Sequence, residues 1–244
     1  MRLIFINSNT VLKMVSILLF IFFFISCSES KKSGSGKNLQ ELPVLITEDF
    51  EDGKTDEWVS YPKEVWKIIQ DSGSKVYALI HPGPEREIRS PQAYTLLKNF
   101  DVKDFVFTGK IKSTQDTLIH GRDMNVVFHY QDLTHFYYVH FCKQSASKHN
   151  IIGIVNGKDR VKINHEPAGE SNARLGDKSY HNFKVTYQSR TGEIKAFLDD
   201  MDVPILTATD STLSHGLVGV GSFDDTGCFD DVQLRGINFL QNKQ

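Results

Sequence analysis

Three stretches of this chain interleave two sets of side chains one for one, and that period belongs to extended strands. Phe105, Phe107, Gly109 and Ile111 alternate with Val106, Thr108, Lys110 and Lys112. Phe183, Val185 and Tyr187 alternate with Asn182, Lys184, Thr186 and Gln188, and Leu217, Gly219, Gly221 and Phe223 alternate with Val218, Val220 and Ser222. Successive side chains of a strand point to opposite faces, so such runs bury one set and present the other. Between the runs stand Gly, Asn, Asp and Pro. Asn156-Gly157 after IIGIV fits a hairpin, because both residues tolerate positive φ, and Thr191-Gly192 separates two further strands. No long segment carries an apolar period of 3.6 residues with caps, so helices are expected to be few and short. The prediction is an antiparallel all-β domain over residues 44–240, with Phe105, Phe107, Phe183, Val185 and Phe223 inside. About a dozen strands must close into a barrel or pack as two sheets, and periodicity alone does not choose.

The start of the chain is of another kind. Arg2 and Lys13 precede Val15–Ile25, an almost wholly apolar run. At about 11 residues it matches the apolar region of a signal peptide and is too short to span a bilayer. Ser26-Cys27 closes it, as a small residue before the acylated cysteine closes a lipoprotein signal, although Phe24 and Ile25 depart from the usual Leu and small residue. The expectation is a signal over 1–26, lipidation at Cys27 and a location on the bacterial cell envelope, facing periplasm or exterior. The segment that follows, SESKKSGSGKNLQE, has no apolar residue before Leu39 and too little to bury, which makes 27–43 a flexible tether. Cys142 and Cys228 remain, either paired or separately buried. A net charge of −2 and no basic stripe argue against a nucleic-acid partner.

Three segments in order resemble the concanavalin A-like (laminin G-like) jelly roll. These are EDFEDGKTDEW with VWKIIQDSGSKVYALI, then YHNFKVTYQSRTGEIKAFLDD, then GLVGVGSFDDTGCFDDVQLRG. The similarity spans about residues 45–239 and implies a two-sheet antiparallel sandwich. More distantly the chain resembles the 3-keto-disaccharide hydrolase-type domains of bacterial glycan-degrading loci. It lacks the Glu-x-Asp-x-x-Glu strand of family 16 glycoside hydrolases, the Asn-Ser-Gly strand of the keto-disaccharide hydrolases and the Tyr-x-Lys-x-Gly strand of alginate lyases. Lectins, lyases and hydrolases share this fold, so the resemblance alone does not choose a function.

The segment RDMNVVFHYQDLTHFYYVHFCKQSASKHN concentrates chemistry-bearing residues. With Val126, Phe128, Tyr130, Tyr137, Val139 and Phe141 turned to the core, Asn125, His129, Tyr138 and His140 are expected to point outward from adjacent strands, with His149 following. Aromatics stack on sugar faces, and imidazoles and amides bond hydroxyls, so this face is a candidate glycan groove. Tyr138, His140 and His129 are also candidates for abstracting a proton beside a uronate carboxylate, with Arg122 neutralising that carboxylate, as a lyase would need. Arg86 and Arg89 in PGPEREIRSPQAY are candidates for an anionic sugar. His129, His140, Cys142 and His149 include zinc-ligand types but show no ligand spacing. The resemblance further implies a structural calcium between the first turn and the last strand, among Glu48, Asp49, Glu51 and Asp52 early and Asp224, Asp225, Asp230 and Asp231 late, with Glu51 and Asp230 as the expected ligands. The sequence thus predicts a lipid-anchored glycan-binding protein, with a lyase or glycoside-cleaving hydrolase for an acidic glycan as the alternative. The partners are carbohydrate and, through the anchor, a membrane.

Overall fold

The computed structural model describes residues 39–144, 147–165 and 174–239. The expected signal, Cys27 and most of the expected tether lie outside the described residues. No described helix is long and apolar enough to cross a membrane. In chain order the strands are β1 (Val44–Glu48), β2 (Trp58–Tyr61), β3 (Trp66–Asp71), β4 (Ser74–Leu79) and β5 (Ala93–Leu97). They continue with β6 (Val102–Ser113), β7 (Asp123–Asp132), β8 (His135–Cys142), β9 (Ile151–Asn156) and β10 (Val161–Lys162). The last five are β11 (His181–Gln188), β12 (Glu193–Leu198), β13 (Leu206–Thr209), β14 (Leu217–Ser222) and β15 (Gly227–Asn238). Two single-turn 3-10 helices, Leu39–Glu41 and Lys63–Val65, are the described helices.

All pairings are antiparallel, and they form two sheets. The larger runs β13-β12-β11-β6-β15-β4-β3, and β1 takes the part of the β15 edge that β4 leaves free. The smaller runs β10-β9-β8-β7-β14-β5-β2. Phe105, Phe107, Phe183 and Val185 of the larger sheet and Val126, Phe128, Tyr137, Val139 and Phe141 of the smaller belong to one buried cluster between them. The alternation that predicted strands therefore also fills the core. Gly109 is part of this fit: a Cβ there would lie 2.9 Å from the Phe183 ring. The β11–β12 hairpin closes as expected, with Gly192 at φ +68 and its N–H donating to the Gln188 carbonyl at 2.9 Å.

Two expectations are corrected. Phe223 is buried at 1% exposure but on the other face of the smaller sheet, in a second cluster with Tyr94, Leu96, Val127, Phe136 and Tyr138. Residues Leu39–Pro43, expected in the tether, are held against the domain. Leu42 is buried and its carbonyl accepts from Arg235 Nε at 3.0 Å, while the Pro43 carbonyl accepts from the Gly236 N–H at 3.0 Å.

Candidate functional site

The outer face of the smaller sheet carries the second cluster, and a covering segment decides how much of it meets solvent. Ile88, in the connection from β4 to β5, packs on that cluster. The connection is tied down beside Ile88: the Arg89 N–H donates to Asp159 Oδ1 at 2.9 Å, and the Arg89 carbonyl accepts from the Arg160 N–H at 3.1 Å. The groove expected from the alternation is therefore largely roofed by the chain itself. Its open remainder is a cavity of about 310 Å³ at one end, lined by Arg89, Asp123, His140, His149, Arg160 and Phe223 among others.

Phe223 is the hub of this cavity. The Arg160 and Arg89 guanidiniums lie 4.2 and 5.2 Å from its ring centre, and the His140 and Tyr138 rings lie 4.9 and 5.4 Å away. Cations over an aromatic face are attracted by its quadrupole, so the two arginines are held in place by the same ring. Arg89 also pairs with Asp224 at 3.4 Å. His149 stands edge-on to His140 at 5.6 Å, and burial followed by the nearby His140 charge keeps it below the ordinary histidine range.

Beneath the cavity lies a buried charge pair. His140 Nε2 sits 3.1 Å from Asp123 Oδ2, with both side chains at most 3% exposed, and His140 Nδ1 donates to the Lys148 carbonyl at 2.8 Å. Burial opposes the imidazolium, but the neighbouring Cys142 sulfur and Asp123 carboxylate outweigh it and hold the ring up to about 10. The Cys142 thiol is itself pushed up by burial, which leaves Asp123 as the standing anion. Despite complete burial the Asp123 carboxyl is held low, by His140 and by hydrogen bonds from Ser222 Oγ (2.8 Å) and the Phe223 N–H (3.2 Å). Asp225 is different: burial first, then repulsion from Asp123, raise it to about 6. Its oxygens accept from the Asp123 N–H at 2.6 Å and Gln115 Nε2 at 2.9 Å.

Of the residues named from sequence, the structure brings His140, His149 and Arg89 to the cavity. Tyr138 and Asn125 share that face but lie under the roof, both fully buried. The Asn125 amide oxygen and nitrogen have no hydrogen-bond partner, and burial raises the Tyr138 phenol above its usual range. Arg86 stacks on Tyr94 at 4.9 Å and donates to the Tyr94 hydroxyl at 3.4 Å, outside the cavity lining.

His129 is not on the outer face. An irregularity in β7 between Phe128 and Asp132 gives His129 a φ of +47 and reverses the phase of the strand. The ring turns inward, 4.3 Å from Tyr187 and 5.7 Å from Phe105, with its nitrogens 2.9 and 3.0 Å from the Leu213 and Lys103 carbonyls. Burial drops it to about 4, a neutral ring at pH 7. Arg122 likewise turns towards the larger sheet, donating from Nη2 to the Ser113 carbonyl at 2.6 Å. The four candidate lyase residues are thus not assembled. His140 is protonated, His129 and Arg122 lie on the inner side, and the Tyr138 phenol is buried.

The sequence does not mark Asp123, Arg160 or Phe223 as cavity residues, and it marks Asp224 and Asp225 only as cation candidates. Phe223 follows the alternating run of β14 and was assigned by it to the core. Arg160 comes from the β9–β10 connection, whose position no local pattern gives.

The expected calcium ligands Glu51 and Asp230 have partners within the chain. Glu51 accepts from the Lys75 N–H at 2.9 Å and from the Ser74 hydroxyl, and Lys75 Nζ reaches the Glu51 carbonyl at 2.7 Å. Asp230 is 6% exposed, and its Oδ1 accepts from the Asp231 N–H at 2.9 Å. Among the described residues the group with metal-ligand spacing is Asp123, Asp224 and Asp225, with ligand atoms within 4.8 Å of one another. Each of these is already engaged by His140, Arg89 or Gln115. Cys142 and Cys228 are both free and buried.

No protein-family model and no curated protein matches the chain. Solved structures do. A carbohydrate-binding module, CBM66 from Bacillus subtilis, is 17% identical with a TM-score of 0.51, covering 74% of this chain and 96% of that one. A putative glycosyl hydrolase from Parabacteroides distasonis is 9% identical with a TM-score of 0.50, covering 78% and 93%. The GH43 protein of Bacillus licheniformis is 11% identical with a TM-score of 0.53, and the match covers 79% of this chain but 39% of that one. At these identities the likeness is one of fold. With two antiparallel sheets over a common core, the chain has the concanavalin A-like jelly-roll fold.

Proposed function

We propose that this protein binds glycan, with the Phe223 cavity as its ligand site, and that it works in polysaccharide use from a lipid anchor on the bacterial envelope. The observation that carries the reading is the cavity's composition. An aromatic ring within 5.2 Å of two guanidiniums, beside a neutral imidazole and an exposed carboxylate, offers donors and acceptors for sugar hydroxyls. The CBM66 and glycosyl hydrolase likenesses agree with it. Its test is affinity electrophoresis through gels containing neutral and acidic polysaccharides. Retardation is expected for at least one of them and should be abolished by Arg160→Ala. Equal mobility in every gel would overturn the reading.

The hydrolase alternative draws on Asp225, whose carboxyl near 6 suits a proton donor and whose oxygens approach those of Asp123. Asp123, however, accepts from His140, Ser222 and the Phe223 amide, so the second carboxylate such chemistry requires is not free. Release of new reducing ends, lost in Asp225→Asn, would favour it over binding alone. The anchor is tested separately: Cys27→Ala should release the protein from the membrane fraction or leave it unprocessed, and unchanged membrane association would refute it.

A further inference from the structure

The sandwich has a second recess, at the end opposite in strand order to β10 and β13. β2 is the edge of the smaller sheet and β3 the edge of the larger, and the turn Lys63–Val65 joins them. Between these edges lies a cavity of about 490 Å³ lined by Trp58, Ser60, Lys63, Trp66, Lys67 and Tyr77 with smaller neighbours. Trp58 and Trp66 stand 6.1 and 5.1 Å from the Tyr77 ring, at 62° and 45°, so the three rings form an angled aromatic wall. The buried Trp66 Nε1 has no acceptor. Ser60 Oγ lies 2.6 Å from the Tyr77 hydroxyl and 2.8 Å from Thr95 Oγ1, a short hydroxyl chain along the same wall. Lys63 and Lys67 are exposed at the rim, and neither forms a salt bridge among the described residues. No carboxylate lines the recess.

We infer that this recess between β2 and β3 is a second ligand site, taking a sugar unit that bears a carboxylate or a sulfate. An aromatic wall suits the C–H face of a pyranose, and the Ser60 hydroxyl on the same wall offers a hydrogen-bond partner to its ring hydroxyls. The two exposed ammonium groups at the rim would attract an anionic substituent on a ring held against that wall. The contrast with the Phe223 cavity is one of charge: that cavity sets three carboxylates against Arg89, Arg160 and His140, and the charged residues lining this one are lysines alone. The inference stands apart from the reading of that cavity.

The chain has two tryptophans, and both line this recess, so intrinsic fluorescence reports on it and not on the Phe223 cavity. Titration with trigalacturonate and with a chondroitin sulfate tetrasaccharide is expected to change the emission saturably for at least one of them, and cellotriose should leave it unchanged. In Lys63→Ala/Lys67→Ala, whose side chains are exposed and whose melting temperature should match the wild type, the apparent Kd should rise at least tenfold. In Arg160→Ala the response should persist. The inference is overturned if neither acidic oligosaccharide changes the emission, if the double lysine variant binds as the wild type does, or if the response vanishes in Arg160→Ala.

Discussion

Asp123 and His140 show how a single buried pair constrains both stability and chemistry. Each group is held in its charged form only by the other and by a few hydrogen bonds, so removing one leaves an uncompensated charge or forces neutralisation. Asp123→Asn is expected to cost about 3 kcal/mol or more in urea denaturation. In that variant the His140 ring, followed by NMR, should titrate below its ordinary value instead of near 10. In the wild type, the raised His140 contributes stability that is complete below its unfolded value of 6.5 and is lost as pH rises through about 10. Asp225 gives a second window. Its folded value of about 6 lies above the unfolded 3.8, so its contribution is complete below 3.8 and lost as pH rises through 6. The wild type should therefore gain on Asp225→Asn by about 2 kcal/mol between pH 7 and pH 4. Parallel stability profiles for the two proteins would refute the burial argument.

At the scale of elements, alternation reads strand faces correctly until a strand changes phase. β11, and β6 from Phe105 to Ile111, keep one phase, and their Phe105, Phe107, Phe183 and Val185 all reach the core. Phe183→Ala should then cost about 3–5 kcal/mol by chemical denaturation, and a cost below about 1 kcal/mol would place the ring outside the core. β7 keeps its phase from Met124 to Phe128, which put Asn125 on the outer face as expected, and then reverses at His129. β15 does the same near Asp231, where φ is +46: Phe229 is inward before the irregularity, and Val232 and Leu234 after it. A bulge adds one residue without changing composition, so no local count of apolar side chains reveals it. The same limit explains the site. His140 and His149 were legible because the cavity lies beside a regular stretch of β8. Arg160 and the roof at Ile88 depend on where connections travel, which is a property of the whole chain.

For the whole molecule, the jelly roll presents one face shielded by its own β4–β5 connection, and among its open recesses are one at the Phe223 end of the smaller sheet and one between the β2 and β3 edges. The central claim is that the Phe223 cavity holds glycan. Isothermal titration calorimetry tests it most directly, using whichever oligosaccharide corresponds to the polysaccharide that retards the protein. The account predicts 1:1 heat from the Phe223 cavity in wild type and in Lys63→Ala/Lys67→Ala, at least tenfold weaker binding in His149→Ala, and none in Arg160→Ala at unchanged melting temperature. Undiminished binding in Arg160→Ala would contradict it.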